Sequence, residues 1–353
     1  MEREKRERRY VGIDLGKRDY TMAIIGVDGK VRFHCGKTCI SGRKAMYRLL
    51  KETDKVALEA GNLAFIVARE IQERVGSTVR VLNAAKLPYI WDAPTKTDKE
   101  DALKLAHLVE DRRDEKLPIV PLPSEKELAR RKVVASYDRA MRHRVQHINT
   151  LHALFVHHGY TGIVRSDLAT DSCRREAIKV LSGHEREEAE WILKYLELVD
   201  ARLKELKKNV NAEAKEDKSM IVLQSIPGIG QTIAYCFVAY VGDGSRFSKG
   251  SQVSNYLGFV PRLDYSGMTK RQGHISKRGN GYLRALLVQA AWALVRSEQG
   301  GALAERYKYL TSRGASKKKV IVSIGRRMAE LMYSVLRSQT MYEPRQWDGS
   351  KSA

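Results

Sequence analysis

Four carboxylates in the first third of the chain have the type and setting to hold a metal. Asp14 closes an apolar run, Val-Gly-Ile-Asp-Leu-Gly, where a strand end followed by a glycine turn presents a carboxylate in the open. Glu59 closes a second run, Val-Ala-Leu-Glu-Ala-Gly. Its neighbours Val56, Ala57, Leu58 and Ala60 predict burial, and a buried carboxylate needs a partner or a cation. Asp98 and Asp101 lie in Thr-Lys-Thr-Asp-Lys-Glu-Asp-Ala, so a helix there puts both on one face. Oxygen-only ligands suit a hard cation, Mg²⁺ by default, and two such ions roughly 3.5–4 Å apart clamp an in-line displacement at phosphorus. Taken singly, each of these acids has a plainer role as a turn or cap residue.

The last third has a different chemistry. Leu-Gln-Ser-Ile-Pro-Gly-Ile-Gly, ending at Gly230, has the signature of a helix-hairpin-helix. Pro227, Gly228 and Gly230 would form a tight turn with backbone N–H groups at a helix N-terminus, where phosphate binds without sequence preference. Further on come Asn-Tyr-Leu-Gly-Phe-Val-Pro-Arg and His-Ile-Ser-Lys-Arg-Gly-Asn-Gly-Tyr-Leu-Arg. Their basic residues Arg262, Lys277, Arg278 and Arg284 are candidate phosphate contacts, among glycines that let a backbone approach a polyanion. Between them Ser266 precedes Gly267 in what reads as a loop. A serine hydroxyl is a weak nucleophile unless its proton is removed and the developing charge is stabilised.

Charge points the same way. Lys and Arg number 64 against 42 Asp and Glu, a formal +22 with a pI near 9.8. An excess this large predicts a polyanionic partner, nucleic acid or an anionic membrane surface. From Lys218 onward 21 basic residues face 7 acidic ones. No apolar run approaches the roughly 18–20 residues of a membrane span, and the charged first nine residues do not read as a signal peptide. The four cysteines, Cys35, Cys39, Cys173 and Cys236, have no CxxC or zinc-ribbon spacing and read as incidental thiols.

The elements that must position these residues fall into three parts. Residues 1–117 read as three antiparallel strands (10–15, 20–27, 30–35) followed by β–α units: strands at 56–60 and 78–82, helices at 41–51, 63–74 and 99–110. That order predicts an α/β domain with a mixed sheet. Pro118, Pro121 and Pro123 mark a linker. Residues 118–217 read as helical, with a long helix at 128–158. A seam then follows at Ala189, Ile192, Leu196, Val199, Leu203, Leu206 and Val210, spaced as a short coiled coil that pairs either within the chain or as a dimerisation stalk. Residues 218–345 read as mainly α, ending in a basic-flanked amphipathic helix at 317–337, with a frayed tail at 346–353.

Val-Gly-Ile-Asp-Leu-Gly resembles the first phosphate loop of actin-like ATPases, but Lys17 and Arg18 stand where that family has small hydroxyl residues. Its second Asp-Gly-Gly loop has no counterpart beyond Asp243-Gly244. The full series of motifs in order, from Gly-Ile-Asp-Leu-Gly-Lys through Pro-Gly-Ile-Gly and Leu-Gly-Phe-Val-Pro to Ile-Ser-Lys-Arg-Gly-Asn-Gly-Tyr-Leu-Arg, resembles the DEDD transposases of bridge-RNA-guided insertion sequences. The likeness spans residues 10–344.

That resemblance implies an N-terminal fold of the ribonuclease-H or RuvC type, with Asp14, Glu59, Asp98 and Asp101 matching the four acids. It implies a C-terminal transposase domain in which Ser266 matches a serine that attacks the DNA phosphodiester and forms a phosphoserine link. It further implies a noncoding bridge RNA pairing with donor and target DNA, a homo-oligomer (dimer or tetramer), and a cytoplasmic, nucleoid-associated prokaryotic setting. Two other readings compete: a hydrolytic Holliday-junction-resolvase-like nuclease using the acids alone, and a non-enzymatic nucleic-acid-binding protein.

Overall fold

The computed structural model describes residues 8–83, 97–266 and 269–346, with the side chains of 262–272 outside that description. Two compact units emerge, Met1–Ser124 and Glu125–Ala353.

In the first unit β1 (Tyr10–Leu15), β2 (Asp19–Ile25) and β3 (Val31–Lys37) form an antiparallel meander. The turn between β2 and β3 holds Gly29 at φ 78°, as the Asp28-Gly29 signal requires. Helix α1 (Ile40–Tyr47) leads to β4 (Lys55–Glu59), and α2 (Ala64–Val75) leads to β5 (Thr78–Leu82). β4 and β5 run parallel to β1, which gives a mixed five-stranded sheet of order β3-β2-β1-β4-β5. A mixed sheet was expected, and its pattern is compatible with a ribonuclease-H-type fold. Alternation sorts the two faces. Val11, Ile13, Val56, Leu58, Val79 and Val81 pack with Met46, Tyr47, Val67 and Ile71 of α1 and α2. The opposite face, with Ala57 and Leu82, packs on Leu105 and Val109 of α3 (Asp98–Asp111).

Gly12 explains how close α3 comes. A Cβ there would stand 1.9 Å from the Ala102 carbonyl oxygen and 2.5 Å from the Ala106 nitrogen. A glycine inside a strand marks such a backbone approach.

The second unit is mainly helical. α4 (Glu125–His157) and α6 (Gly183–Glu216) pair along their length, with the short α5 (Asp171–Ala177) between them. The expected seam packs within the chain: Ala189, Ile192 and Leu196 meet Ile148, Leu151 and Phe155 of α4. Towards the other end Val210 and Ala214 join Val134 in the main core, and the buried Arg130 reaches Glu213 at 2.7 Å and Asp217 at 2.5 Å.

Helix α7 (Lys218–Gln224) turns into α8 (Gln231–Val241), which is apolar on all sides and correspondingly buried. α9 (Gly250–Tyr256), α10 (Gly281–Arg296), α11 (Gly301–Ser312) and α12 (Lys317–Ser338) complete the unit. Between α9 and α10 stands an antiparallel hairpin of β6 (Pro261–Ser266) and β7 (Thr269–Ile275). The segment around Ser266 had been expected as a loop. It is a strand end, missed because its residues are mostly polar and lack the apolar alternation that announces a strand. The tail expected to fray falls largely in residues 347–353, outside the described residues.

Gly12→Ala is expected to lower stability by about 1–3 kcal/mol or more, as overpacking of a closed contact does. Gly61→Ala, whose Cβ would stand 4.0 Å from the Glu59 carbonyl oxygen, is expected to stay within about 0.5 kcal/mol of wild type. Urea denaturation of the three proteins measures both.

Candidate catalytic centre and nucleic-acid surface

Sheet register brings two of the four acids together. Ile13 pairs with Leu58 on the parallel β1 and β4, so Asp14 and Glu59 follow as neighbours at the C-terminal strand ends. Adjacent strands lie about 4.8 Å apart. Being two residues beyond Gly12 and Ala57, both acids belong to the face that α3 covers. Ligands of open α/β sheets sit outside these carboxyl ends.

Helix α3 runs against β1. Its Val109 and Leu108 lie with Tyr10, while Ala102 and Ala106 flank Gly12, so its first turn reaches the Asp14 end. Thr97 caps that turn, its hydroxyl accepting from the Glu100 N–H at 3.3 Å. Asp98, Glu100 and Asp101 occupy the positive end of the helix dipole. Asp101 is buried with the sheet-facing Ala102, Leu105 and Ala106, and its Oδ1 lies 3.7 Å from Lys104 Nζ. Asp98, one turn earlier, is exposed.

Three of the four acids therefore share one face and one end of the sheet, and the fourth stands at its rim. Among the described residues no three His, Cys, Asp or Glu side chains are close enough to hold an ion. The donor set is all carboxylate oxygen and fits a hard divalent cation in chemistry. Glu100, between Asp98 and Asp101, is a further acid of this turn. Its buried Oε2 has no hydrogen-bond partner among the described residues, and in the sequence only its place in the acidic run hints at it.

The turn between α7 and α8 holds Gly228 at φ 85°, with its Cα so close to α10 that a Cβ would meet the Ala290 carbonyl oxygen at 2.6 Å. Gly230 is the N-cap of α8, makes no side-chain cap bond and faces open space. An open groove lined by Gln224, Ser225, Gly230, Ser297 and Gln299 runs beside it.

Lys277 and Arg278 are exposed. Arg284 is half-buried: its Nη1 donates to the carbonyls of Leu257 at 2.8 Å and Arg278 at 3.1 Å, and burial pushes its guanidinium below its ordinary pKa. Ser266 pairs with Thr269 at the far end of the β6–β7 hairpin. The side chains of Ser266 and Arg262 lie outside the described residues. The cysteines are all free, and burial pushes the Cys236 thiol up to about 12, which leaves it inert.

Comparison with known proteins adds to this geometry. A family model for DEDD transposases of the IS110 type matches residues 11–158, and one described as the IS116/IS110/IS902 transposase family matches 220–308. Along 95% of this chain, a probable family 20 transposase from Pseudomonas aeruginosa is 28% identical, with 98% of that relative covered. The transposase of insertion sequence element IS1111A from Coxiella burnetii is 39% identical over 29% of each chain. A pilin gene-inverting protein from Moraxella bovis is 30% identical over 38% of this chain and 42% of its own. With acids on one sheet face and a strongly basic C-terminal part, these matches define a DNA transposase or recombinase. Both parts of the chain thus resemble DEDD transposases of the IS110/IS116 family.

Gly228→Ala is expected to destabilise the second unit by about 1–3 kcal/mol, through both its φ and the contact with α10. Gly230→Ala, in open space, is expected to fold as wild type. Thermal melting of the two variants checks the contrast.

Proposed function

We propose that this transposase cuts and rejoins DNA through a phosphoserine intermediate on Ser266. In this reading Asp14, Glu59, Asp98 and Asp101 hold Mg²⁺, and a noncoding bridge RNA selects donor and target. Residues 1–117 act as a RuvC-like catalytic domain, 118–217 as a helical coiled-coil spacer, and 218–345 as the transposase domain with its helix-hairpin-helix. The observation that carries the reading is that Asp14 and Glu59 each follow the paired Ile13 and Leu58 on neighbouring parallel strands, with the buried Asp101 in the first turn of the helix that covers that face.

Bound Mg²⁺ would supply charge neutralisation at the scissile phosphate. The rest falls to the chain. Ser266 Oγ forms a bond to phosphorus as the bond from phosphorus to the sugar oxygen breaks. The hydroxyl proton leaves to a neighbouring base, and the departing sugar oxygen takes one up. A phosphodiester is exchanged for a phosphodiester, so the reverse reaction rejoins ends without ATP, which hydrolysis would forfeit. The relative named for pilin gene inversion supports such conservation, because an inversion rejoins every strand it cuts.

Arg262, Lys277 and Arg278 are assigned to the DNA or RNA backbone, as is the Gly228–Gly230 turn. An oligomer fits Trp191, Tyr195 and Leu198, an apolar stripe at i, i+4 and i+7 that is 56%, 53% and 71% exposed on α6. No helix among the described residues is long and apolar enough to cross a membrane, and we assign the protein to DNA in a prokaryotic cytoplasm.

A denaturing gel of the reaction with DNA and the element's RNA is expected to show protein covalently on DNA, lost in Ser266→Ala. Free ends without adduct, with Ser266→Ala cutting as wild type, would leave the acids alone as a hydrolytic nuclease. Asp14→Asn is expected to weaken Mn²⁺ binding in calorimetry as well as to abolish the adduct. Unchanged Mn²⁺ binding would remove Asp14 from the metal site.

A further inference from the structure

The β6–β7 hairpin rises from two chain segments that close on each other backbone to backbone. The incoming arm, Leu257 to Val260, follows α9, and the outgoing arm, Ser276 to Asn280, leads into α10. Beyond the strand ladder the pairing continues: Ser276 N–H donates to the Val260 carbonyl at 2.7 Å, and Lys277 N–H to the Gly258 carbonyl at 3.2 Å. Gly258 (φ 76°) and Gly279 (φ 85°) lock the arms together. A Cβ on the first would meet the Arg278 oxygen at 2.0 Å, and one on the second the Tyr256 oxygen at 2.2 Å. Lys277 is held at φ 53°, a left-handed conformation that a side-chain-bearing residue adopts only under constraint.

Both arms are tied to the rigid core. Phe259 is buried, with its ring beside Gly325 of α12, where a Cβ would stand 3.4 Å from Phe259 Cε1. Asn280 caps α10, its side-chain oxygen accepting from Leu283 N–H at 2.8 Å.

Arg284 joins the two arms from the first turns of α10. Its Nη1 reaches one carbonyl on each arm, Leu257 on the incoming and Arg278 on the outgoing. The sequence alone suggested a phosphate contact here. The geometry points instead to a positioning role.

We propose that Arg284 clamps the two roots of the β6–β7 hairpin and thereby aims the hairpin end that bears Ser266. This rests on the reading of Ser266 as nucleophile. Arg284 touches neither DNA nor the reacting atoms in this role. It removes the hinge at the hairpin's base, where a small rotation would be magnified at the far end. Misplacement of a reacting group by about 1 Å costs on the order of 100-fold in rate.

The test uses full-length protein with its DNA and RNA, in Arg284→Gln and Arg284→Lys. Three readouts are needed: single-turnover adduct formation, DNA affinity by gel shift, and hydrogen exchange of the amides at 261–275. Arg284→Gln is expected to slow adduct formation on the order of 100-fold. DNA affinity should hold within about twofold, and hairpin exchange should accelerate. Arg284→Lys, whose ammonium still donates to carbonyls, is expected to recover much of the rate and the exchange protection. A phosphate contact would instead lower affinity and flatten its salt dependence by about one unit of slope, with exchange unchanged, and that result overturns the proposal. Unchanged hairpin exchange in Arg284→Gln overturns it by itself. If Arg284→Gln does not fold, Arg284→Lys carries the same contrast in milder form. Ser266→Ala in parallel separates the two ideas: an adduct surviving there refutes the nucleophile, whereas the exchange data judge the clamp without reference to it.

Discussion

The approach of α3 to β1 at Gly12, where the helix backbone occupies the space of any side chain, sets the geometry of the first unit. With the Ala102 oxygen 1.9 Å from where a Cβ would be, the helix has one place to lie on that face. Its direction follows from Val109 beside Tyr10 at one end, which leaves Asp101 at the end where Asp14 and Glu59 finish their strands. The parallel pairing of Ile13 with Leu58 supplies the other half. Neither contact is itself chemical. Without them the acids would be three unrelated residues in three elements, each with a desolvation cost and no shared purpose.

The second unit solves a different problem. A two-stranded hairpin by itself is marginal in water, and the proposed nucleophile at its end would have to be held to a fraction of an ångström. The chain meets this at the root. Two glycines allow the arms to touch through their backbones, and a guanidinium bridges them. Phe259 and the Asn280 cap connect the root to helices whose core runs through α8, α10 and α12. Basic surface residues beside it, Lys277 and Arg278, remain available to a polyanion.

The meander, the parallel β–α units and the long helices α4, α6 and α12 were legible because apolar periodicity and turn residues such as Asp28-Gly29 agree with the tertiary contacts. The seam on α6 was legible as a seam, but its partner was not. Ala189, Ile192 and Leu196 would look the same facing α4 or a second copy, and here they face α4. The hairpin is not legible in sequence because Arg262, Asp264, Lys270 and Arg271 carry no apolar alternation, and only the backbone pairing defines its register. The carbonyls beside Arg284 are invisible in sequence for a related reason: a sequence shows a cation but not the groups that face it. At the acids, types and spacing suggested a shared site, while their common face depended on Gly12, a residue with no chemistry of its own.

The proposed chemistry requires that a metal held by the acids and the hydroxyl of Ser266 act on one phosphate in the assembled complex, within one chain or between protomers. Replacing Mg²⁺ by Fe²⁺ and adding ascorbate and peroxide to the assembly with DNA and RNA generates short-lived radicals that cut polypeptide near the bound ion. The account predicts cleavage both near Asp14 and Glu59 and within a few residues of Ser266, with both sets of cuts lost when Asp14 is changed to Asn. Cuts confined to the first unit in every assembly that forms covalent adduct would contradict it.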